Sequence, residues 1–315
     1  MKRGLVLAAL AAAAAGAGSQ PSPSAAALQA EKITDSLYVL RGGGGRVQLG
    51  GVSTPTAGNT IAFITASGVV LVDSKLPGWG KAITDKLKEI TDKPVRMIIN
   101  THTHFDHVGG NADFPAGVEI VTHEETARLM KEMRPVAGGP PQPNPFKESN
   151  GRGLPTRTFK DRLTLGSGDE RIELYWFGRG HTGGDAWVAF PAQRVLHTGD
   201  MFGHKAVPPL DVNNGASGVE YPRTLAKAIA ALKDIDIVVT GHYPTSLTMA
   251  DLKTYANFTG ELVESIQGAK RAGGTIDGFV KAWKLPDRLL KEGYVDVSHL
   301  RPMRADVEVI WNETR

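Results

Sequence analysis

Residues 102–107 read His102-Thr103-His104-Phe105-Asp106-His107, three imidazoles and a carboxylate within six positions. These are ligand types that suit a zinc-like ion. Side chains at i and i+2 of an extended segment share a face, so His102 and His104 can grip one ion. A turn after Phe105 would swing Asp106 and His107 toward another. The competing reading is a solvated histidine-rich loop, but the cluster follows directly on the apolar run Val95-Arg96-Met97-Ile98-Ile99 and so sits just past a strand. Two ions need further ligands, and three candidates recur beside glycine after a strand: His181 in Gly180-His181-Thr182, Asp200 in Thr198-Gly199-Asp200, and His242 in Thr240-Gly241-His242. Glycine there lets the backbone turn tightly and approach an ion. Singly each is an ordinary structural residue; together with the first motif they complete an all His/Asp dinuclear set. The chain has no cysteine, which removes thiolate ligands, disulfides and a lipid-carrying cysteine.

The elements that must position these residues alternate strand and helix. Strand-like runs cover 60–64, 69–73, 95–100 and 118–121, then 172–177, 186–190, 194–197 and 235–240. Helices with Ile83, Leu87 and Ile90 on one face, from Val108, and over 124–132 separate the first set. This is α/β layering. Ordered structure is expected from Ser36, with a Gly-rich hairpin loop over 42–58. A segment rich in Gly, Pro and Asn over 137–155 reads as irregular, either a lid or a surface excursion. From Thr248 apolar residues recur at helical spacing, with Thr248 and Asp251 as a capping box and Gly273-Gly274 as the stop. Helical pieces near 276–283 and 303–311 form a C-terminal appendage whose expected role is to cover apolar surface.

At 315 residues with 41% hydrophobic side chains, the chain can bury a substantial core. Met1-Lys2-Arg3, an apolar stretch to Ala15 and a small-residue exit have the form of a secretory signal. The stretch is shorter than the roughly 20 residues of a membrane span, so no span is expected after cleavage. The organisation expected is signal and flexible tail over 1–30, the catalytic domain over 31–247, and a helical extension over 248–315, with the product periplasmic or secreted. The formal charge is +3, and loss of Lys2 and Arg3 leaves about +1, without the basic footprint of a nucleic-acid binder.

The ordered set His102-x-His104-x-Asp106-His107, Gly-His181-Thr, Thr-Gly-Asp200 and Gly-His242, preceded by Val72-Asp73-Ser74, resembles the metallo-β-lactamase superfamily over roughly residues 37–244. The resemblance implies a four-layer αββα sandwich, a first metal on His102, His104 and His181, and a second on Asp106, His107 and His242. It further implies that Asp200 bridges both and that Asp73 supports the ligands from behind. Lactamases proper typically carry Cys or Ser in place of Asp200, whereas glyoxalase II-like branches carry the aspartate. His104 in place of a glutamate separates the chain from the flavodiiron branch.

The expected function is an exported hydrolase using two zinc ions and a bridging hydroxide on a small ester, thioester, lactone or β-lactam; iron or manganese also suits such ligands. Asp106 or a metal-bound water would protonate the leaving group. The surplus positive charge of the site predicts a preference for substrates with an anionic group. The alternative is an iron-dependent persulfide-type dioxygenase, whose relatives usually replace part of the second-metal set that is intact here. Tyr243 is read as a candidate substrate contact or a tyrosine packed beside Pro244, and His204 and Lys205, just past Asp200, as substrate contacts or solvated side chains. His123 is expected to cap a helix or pack, and His197 to point into the core, while His299 has no supporting motif.

Overall fold

The structure, a computed structural model, describes residues 23–49, 52–298 and 302–315. The whole of the signal reading, residues 1–17, and His299 lie outside these residues. The strands are β1 (Leu28–Lys32), β2 (Leu37–Gly42), the hairpin β3 (Arg46–Leu49) and β4 (Val52–Pro55), β5 (Thr60–Ile64), β6 (Val69–Val72), β7 (Val95–Ile99), β8 (Glu119–His123), β9 (Arg157–Phe159), β10 (Arg162–Leu165), β11 (Ile172–Tyr175), β12 (Trp187–Phe190), β13 (Val195–His197) and β14 (Ile237–Val239). One sheet runs β1-β2-β5-β6-β7-β8-β9 and a second β10-β11-β12-β13-β14. Within them β6 to β9 are mutually parallel, as are β13 and β14.

Successive residues of a strand point to opposite faces, and here both faces are buried, so the strands read as continuous apolar runs. Val39, Ile61, Phe63, Val72, Ile99 and Val121 meet Leu174, Val188, Phe190, Val195 and Val239 between the sheets. Their neighbours Leu40, Ala62, Leu71, Ile98 and Ile120 face outward onto α1 (Gly80–Lys88). On the far side Trp187, Ala189, Leu196 and Val238 are covered by helices from the C-terminal half. Helix, sheet, sheet, helix is the layer order expected.

The remaining helices are α2 (Phe105–Val108), α3 (Glu124–Glu132), α4 (Pro145–Glu148), α5 (Tyr221–Ala231), α6 (Met249–Arg271), α7 (Ile276–Ala282), α8 (Asp287–Lys291) and α9 (Arg304–Glu313). Thr248 and Asp251 form the predicted capping box on α6.

Three readings need correction. Residues 28–30, taken as tail, belong to β1, which pairs along its length with β2; as an edge strand with little more than Leu28 buried, it lacks the apolar signature. The short helix expected from Val108 instead ends there: it starts at Phe105, because the amides of His107 and Val108 both bond to the His104 carbonyl at 3.0 Å, and Asp106 and His107 therefore ride on a helical turn. The segment 137–155 is not without regular structure, since Asn144 caps α4 with Pro145 at its first turn and Phe146 is buried against Val108, Met130 and Met133.

Candidate metal centre

Asp73, His102 to His107, Asp200 and His242 all follow the C-terminal ends of parallel strands, β6, β7, β13 and β14, and His181 lies in the loop from β11 to β12. The fold thus delivers five separate stretches to one edge of the sandwich. His102, His104, His181 and Asp200 form one group and Asp106, His107 and His242 a second; within each, one potential ligand atom per residue lies within 4.8 Å of the others. His104 Nδ1 is 3.0 Å from His181 Nε2, and His107 Nε2 is 3.2 Å from His242 Nε2. Asp106 Oδ2 is 3.3 Å from His242 Nε2. Asp200 reaches both groups, with Oδ2 3.6 Å from His181 Nε2 and 3.3 Å from His242 Nε2, and Oδ1 3.5 Å from His107 Nε2. All seven predicted residues are therefore brought together.

The outward nitrogens of four imidazoles are each occupied. Asp73 Oδ2 lies 2.7 Å from both His107 Nδ1 and the Thr101 hydroxyl, while Oδ1 accepts from the Thr101 amide at 2.8 Å. With its proton given to Asp73, the Thr101 hydroxyl accepts from His102 Nδ1 at 3.0 Å. His181 Nδ1 donates to the Pro209 carbonyl and His104 Nε2 to Asp211, each at 2.7 Å. Carboxylates and carbonyls only accept, so these partners fix the tautomers and leave His102 Nε2, His104 Nδ1, His107 Nε2 and His181 Nε2 with lone pairs facing inward. Second partners that orient imidazoles in this way are the usual backing of a metal site. His102 Nε2 and Asp200 Oδ1 are buried without any hydrogen-bond partner, a costly state for polar atoms that a cation between them relieves. The residues present fit a metal.

Close approach makes glycine necessary twice. A Cβ on Gly241 would lie 1.7 Å from Asp200 Oδ1, and one on Gly58 2.4 Å from His107 Cε1. Asp73 adopts φ +63°, the left-handed region, where its amide bonds to the Ile99 carbonyl at 2.8 Å.

Burial, followed by the neighbouring imidazoles, drives His102 well below its usual pKa and takes His181 down to about 4. Burial opposes charge on His104 and His242 too, but carboxylates outweigh it: Asp211 raises His104, and Asp200 with Asp106 raises His242 well above the usual imidazole range. Asp200 is held well below the carboxylate range by His242 and His107 despite its burial. A cation entering must displace protons from this network.

Asp211 was not visible in the sequence as a functional residue. It sits among turn formers in Pro208-Pro209-Leu210-Asp211, and locally its side chain accepts from the Asn213 amide and from Asn214 Nδ2; the contact to His104 spans 107 residues. Asp211→Ala is expected to weaken metal binding about 10–100-fold in a chelator competition, and unchanged affinity would show that Asp211 does not orient His104. Arg41 and Asn59, also unrecognised, hold the His242 loop: Asn59 Nδ2 donates to the Thr240 and Tyr243 carbonyls at 2.9 and 3.0 Å, and Arg41 donates to the latter at 3.1 Å.

Of the weaker candidates, His204 lines both the cavity over the cluster and the neighbouring one, and Tyr243 lines the latter. Lys205 is not a solvated side chain: it is buried and its Nζ bonds Asp251 at 2.7 Å and the Glu292 carbonyl at 3.2 Å. His123 caps α3 through its Nδ1, as expected. His197 is fully buried in the core, donating to the Asn59 carbonyl at 3.3 Å and accepting from the Gly199 amide at 2.9 Å. That pattern requires the neutral ring, and burial lowers its pKa to about 4. Unfolded, the ring takes a proton near 6.5, so between these values the unfolded chain binds more protons and stability rises with pH. Its contribution, about 3 kcal/mol at full effect, is complete above about pH 6.5 and lost as pH falls toward 4. Denaturant melts across that window are expected to flatten in His197→Gln; an unaltered slope would contradict this.

The profile of the Metallo-beta-lactamase superfamily matches residues 53–242. The chain belongs to that superfamily. It is accordingly a metallohydrolase-type enzyme with His/Asp metal-binding clusters. Among relatives, it is 27% identical over 221 residues to a type 2 metallo-β-lactamase of Elizabethkingia meningoseptica, covering 68% of this chain and 78% of the relative. Over 145 residues it is 32% identical to 2,4-dinitroanisole O-demethylase subunit alpha of Nocardioides sp. (strain JS1661), covering 45% of this chain and 40% of that protein. The fold matches a metallo-β-lactamase structure from Pontibacter korlensis with TM-score 0.59 at 23% identity, covering 74% of this chain and 99% of that one.

Among the described residues, no helix is long and apolar enough to cross a membrane.

Proposed function

We propose that this superfamily member is an exported hydrolase that holds two zinc ions and cleaves a small ester, thioester, lactone or β-lactam. The observation that carries this is the set of four imidazoles, His102, His104, His107 and His181, whose outer nitrogens are occupied and whose inner lone pairs converge, with Asp106, Asp200 and His242, on one floor. In this reading His102, His104 and His181 hold one ion, Asp106, His107 and His242 the other, and Asp200 spans both. When bound, such a pair of ions supplies a water of lowered pKa and a Lewis acid for the developing oxyanion.

The chain's own residues do the rest. Asp73 and Asp211 keep the imidazoles in the ligand tautomer. His104, Asp106, His181, Asp200 and His242 all line one cavity, so a substrate seated there lays its scissile bond across the floor. Asp106, with a side chain 22% exposed, is the more accessible of the two floor carboxylates; in this reading it, or a metal-bound water, would return to the departing group the proton released by the attacking water. A preference for an anionic group beside the floor follows from the charge of two dications against two carboxylates. Export rests on the composition of residues 1–17.

A chromogenic panel of β-lactam, lactone, thioester and phosphodiester substrates tests the reading. Turnover of an acyl substrate, abolished by a chelator and restored by zinc, is expected. Turnover indifferent to chelation, or oxygen consumption by iron-loaded protein without hydrolysis, would overturn it.

A further inference from the structure

The cavity above the metal cluster has two unlike halves. Its floor is the His/Asp set, whereas the rest of its lining is mostly apolar and includes Leu49 at the end of β3, Val136 and Ala137 after α3, Val207 and Leu210 after β13, and Val297 and Ala305 from the C-terminal extension. Leu49, Ala206 and Val297 pack on one another as a small buried cluster of their own, at 3, 5 and 6% exposure. The extension therefore does more than cover apolar surface. Leu49, Val297 and Ala305 also lie outside residues 53–242, so part of this wall is built by segments beyond the part that carries the family's signature.

We infer that the apolar wall is an acyl-chain subsite, and that this enzyme selects substrates whose non-reacting end is an uncharged hydrocarbon chain. The inference rests on the hydrolase reading above for the reaction, but not for the binding. Each methylene laid against such a wall leaves water and gains about fourfold, the equivalent of about 0.8 kcal/mol. A carboxylate at the same distance from the floor would be desolvated without a partner, since the described residues lining the wall include no lysine or arginine. Any anionic group is thereby confined to the floor.

Two series test this on the zinc-loaded protein. In kinetics, kcat/KM for p-nitrophenyl acetate, butanoate and hexanoate should climb about fourfold per methylene, and the succinate monoester should fall below the butanoate. In calorimetry, which needs no turnover, ethanethiol, butanethiol and hexanethiol should tighten by the same step, with 3-mercaptopropanoate weaker than butanethiol. Ala305→Trp, at the exposed rim where the fold can accept the ring, should flatten both slopes, and Val297→Asp should do so from the buried side. Absence of ester turnover with a rising thiol series would remove esters from the hydrolase reading and leave the subsite standing. Flat series, a preference for the acid in either assay, or slopes untouched by Ala305→Trp would overturn the subsite.

Discussion

Asp200→Ala is expected to lower kcat/KM by about 10³-fold or more, close to 4 kcal/mol of transition-state stabilisation. The two oxygens of Asp200 lie 3.3–3.6 Å from His181 in one group and from His107 and His242 in the other. Its removal takes one negative charge from between two candidate cation sites and leaves raised-pKa His242 without its foremost carboxylate partner. Steady-state kinetics alongside metal analysis would check this. Asp200→Asn keeps the shape that fits against Gly241 and loses the charge, so the two variants should fail alike; near wild-type activity in Asn would mean that the carboxylate only fills space.

The second large effect is expected at Asp106. Asp106→Ala leaves His102, His104 and His181 with their partners Thr101, Asp211 and Pro209 intact, but strips the second group to two imidazoles. Zinc content should fall from two equivalents toward one, and kcat/KM by about 10²–10³-fold, the scale of losing one preorganised electrostatic group. The pair of measurements separates two roles. A drop in activity at full zinc content would assign Asp106 to proton transfer alone, and unchanged activity would make the second ion irrelevant to catalysis.

The sequence reading reached the seven clustered residues because ligand chemistry is concentrated in them: His-x-His-x-Asp-His has few other uses, and glycine flanks the rest. It reached Asp73 only through resemblance. What it missed is the backing. Asp211, Thr101, Asn59 and Arg41 are ordinary residue types, and Asp211, Asn59 and Arg41 meet their partners at the site from far along the chain, while Thr101 next to His102 is marked by no motif, so no periodicity or spacing singles them out. The layers were legible because both faces of most strands are buried and read as unbroken apolar runs. β1 was not, being an edge whose polar face meets solvent, and α4 was hidden because one capped turn carries no periodic signal. The pocket wall was illegible for a different reason: Leu49 and Val297 become neighbours only when the β3–β4 hairpin and the C-terminal extension meet, and either residue alone reads as plain apolar surface.

Anomalous diffraction at the zinc edge, from crystals grown with the metal, addresses the centre itself. Two peaks are predicted about 3.5–4 Å apart, one among His102, His104, His181 and Asp200 and the other among Asp106, His107 and His242. Full-occupancy zinc away from these residues, or a single peak bound by neither group, would contradict the account.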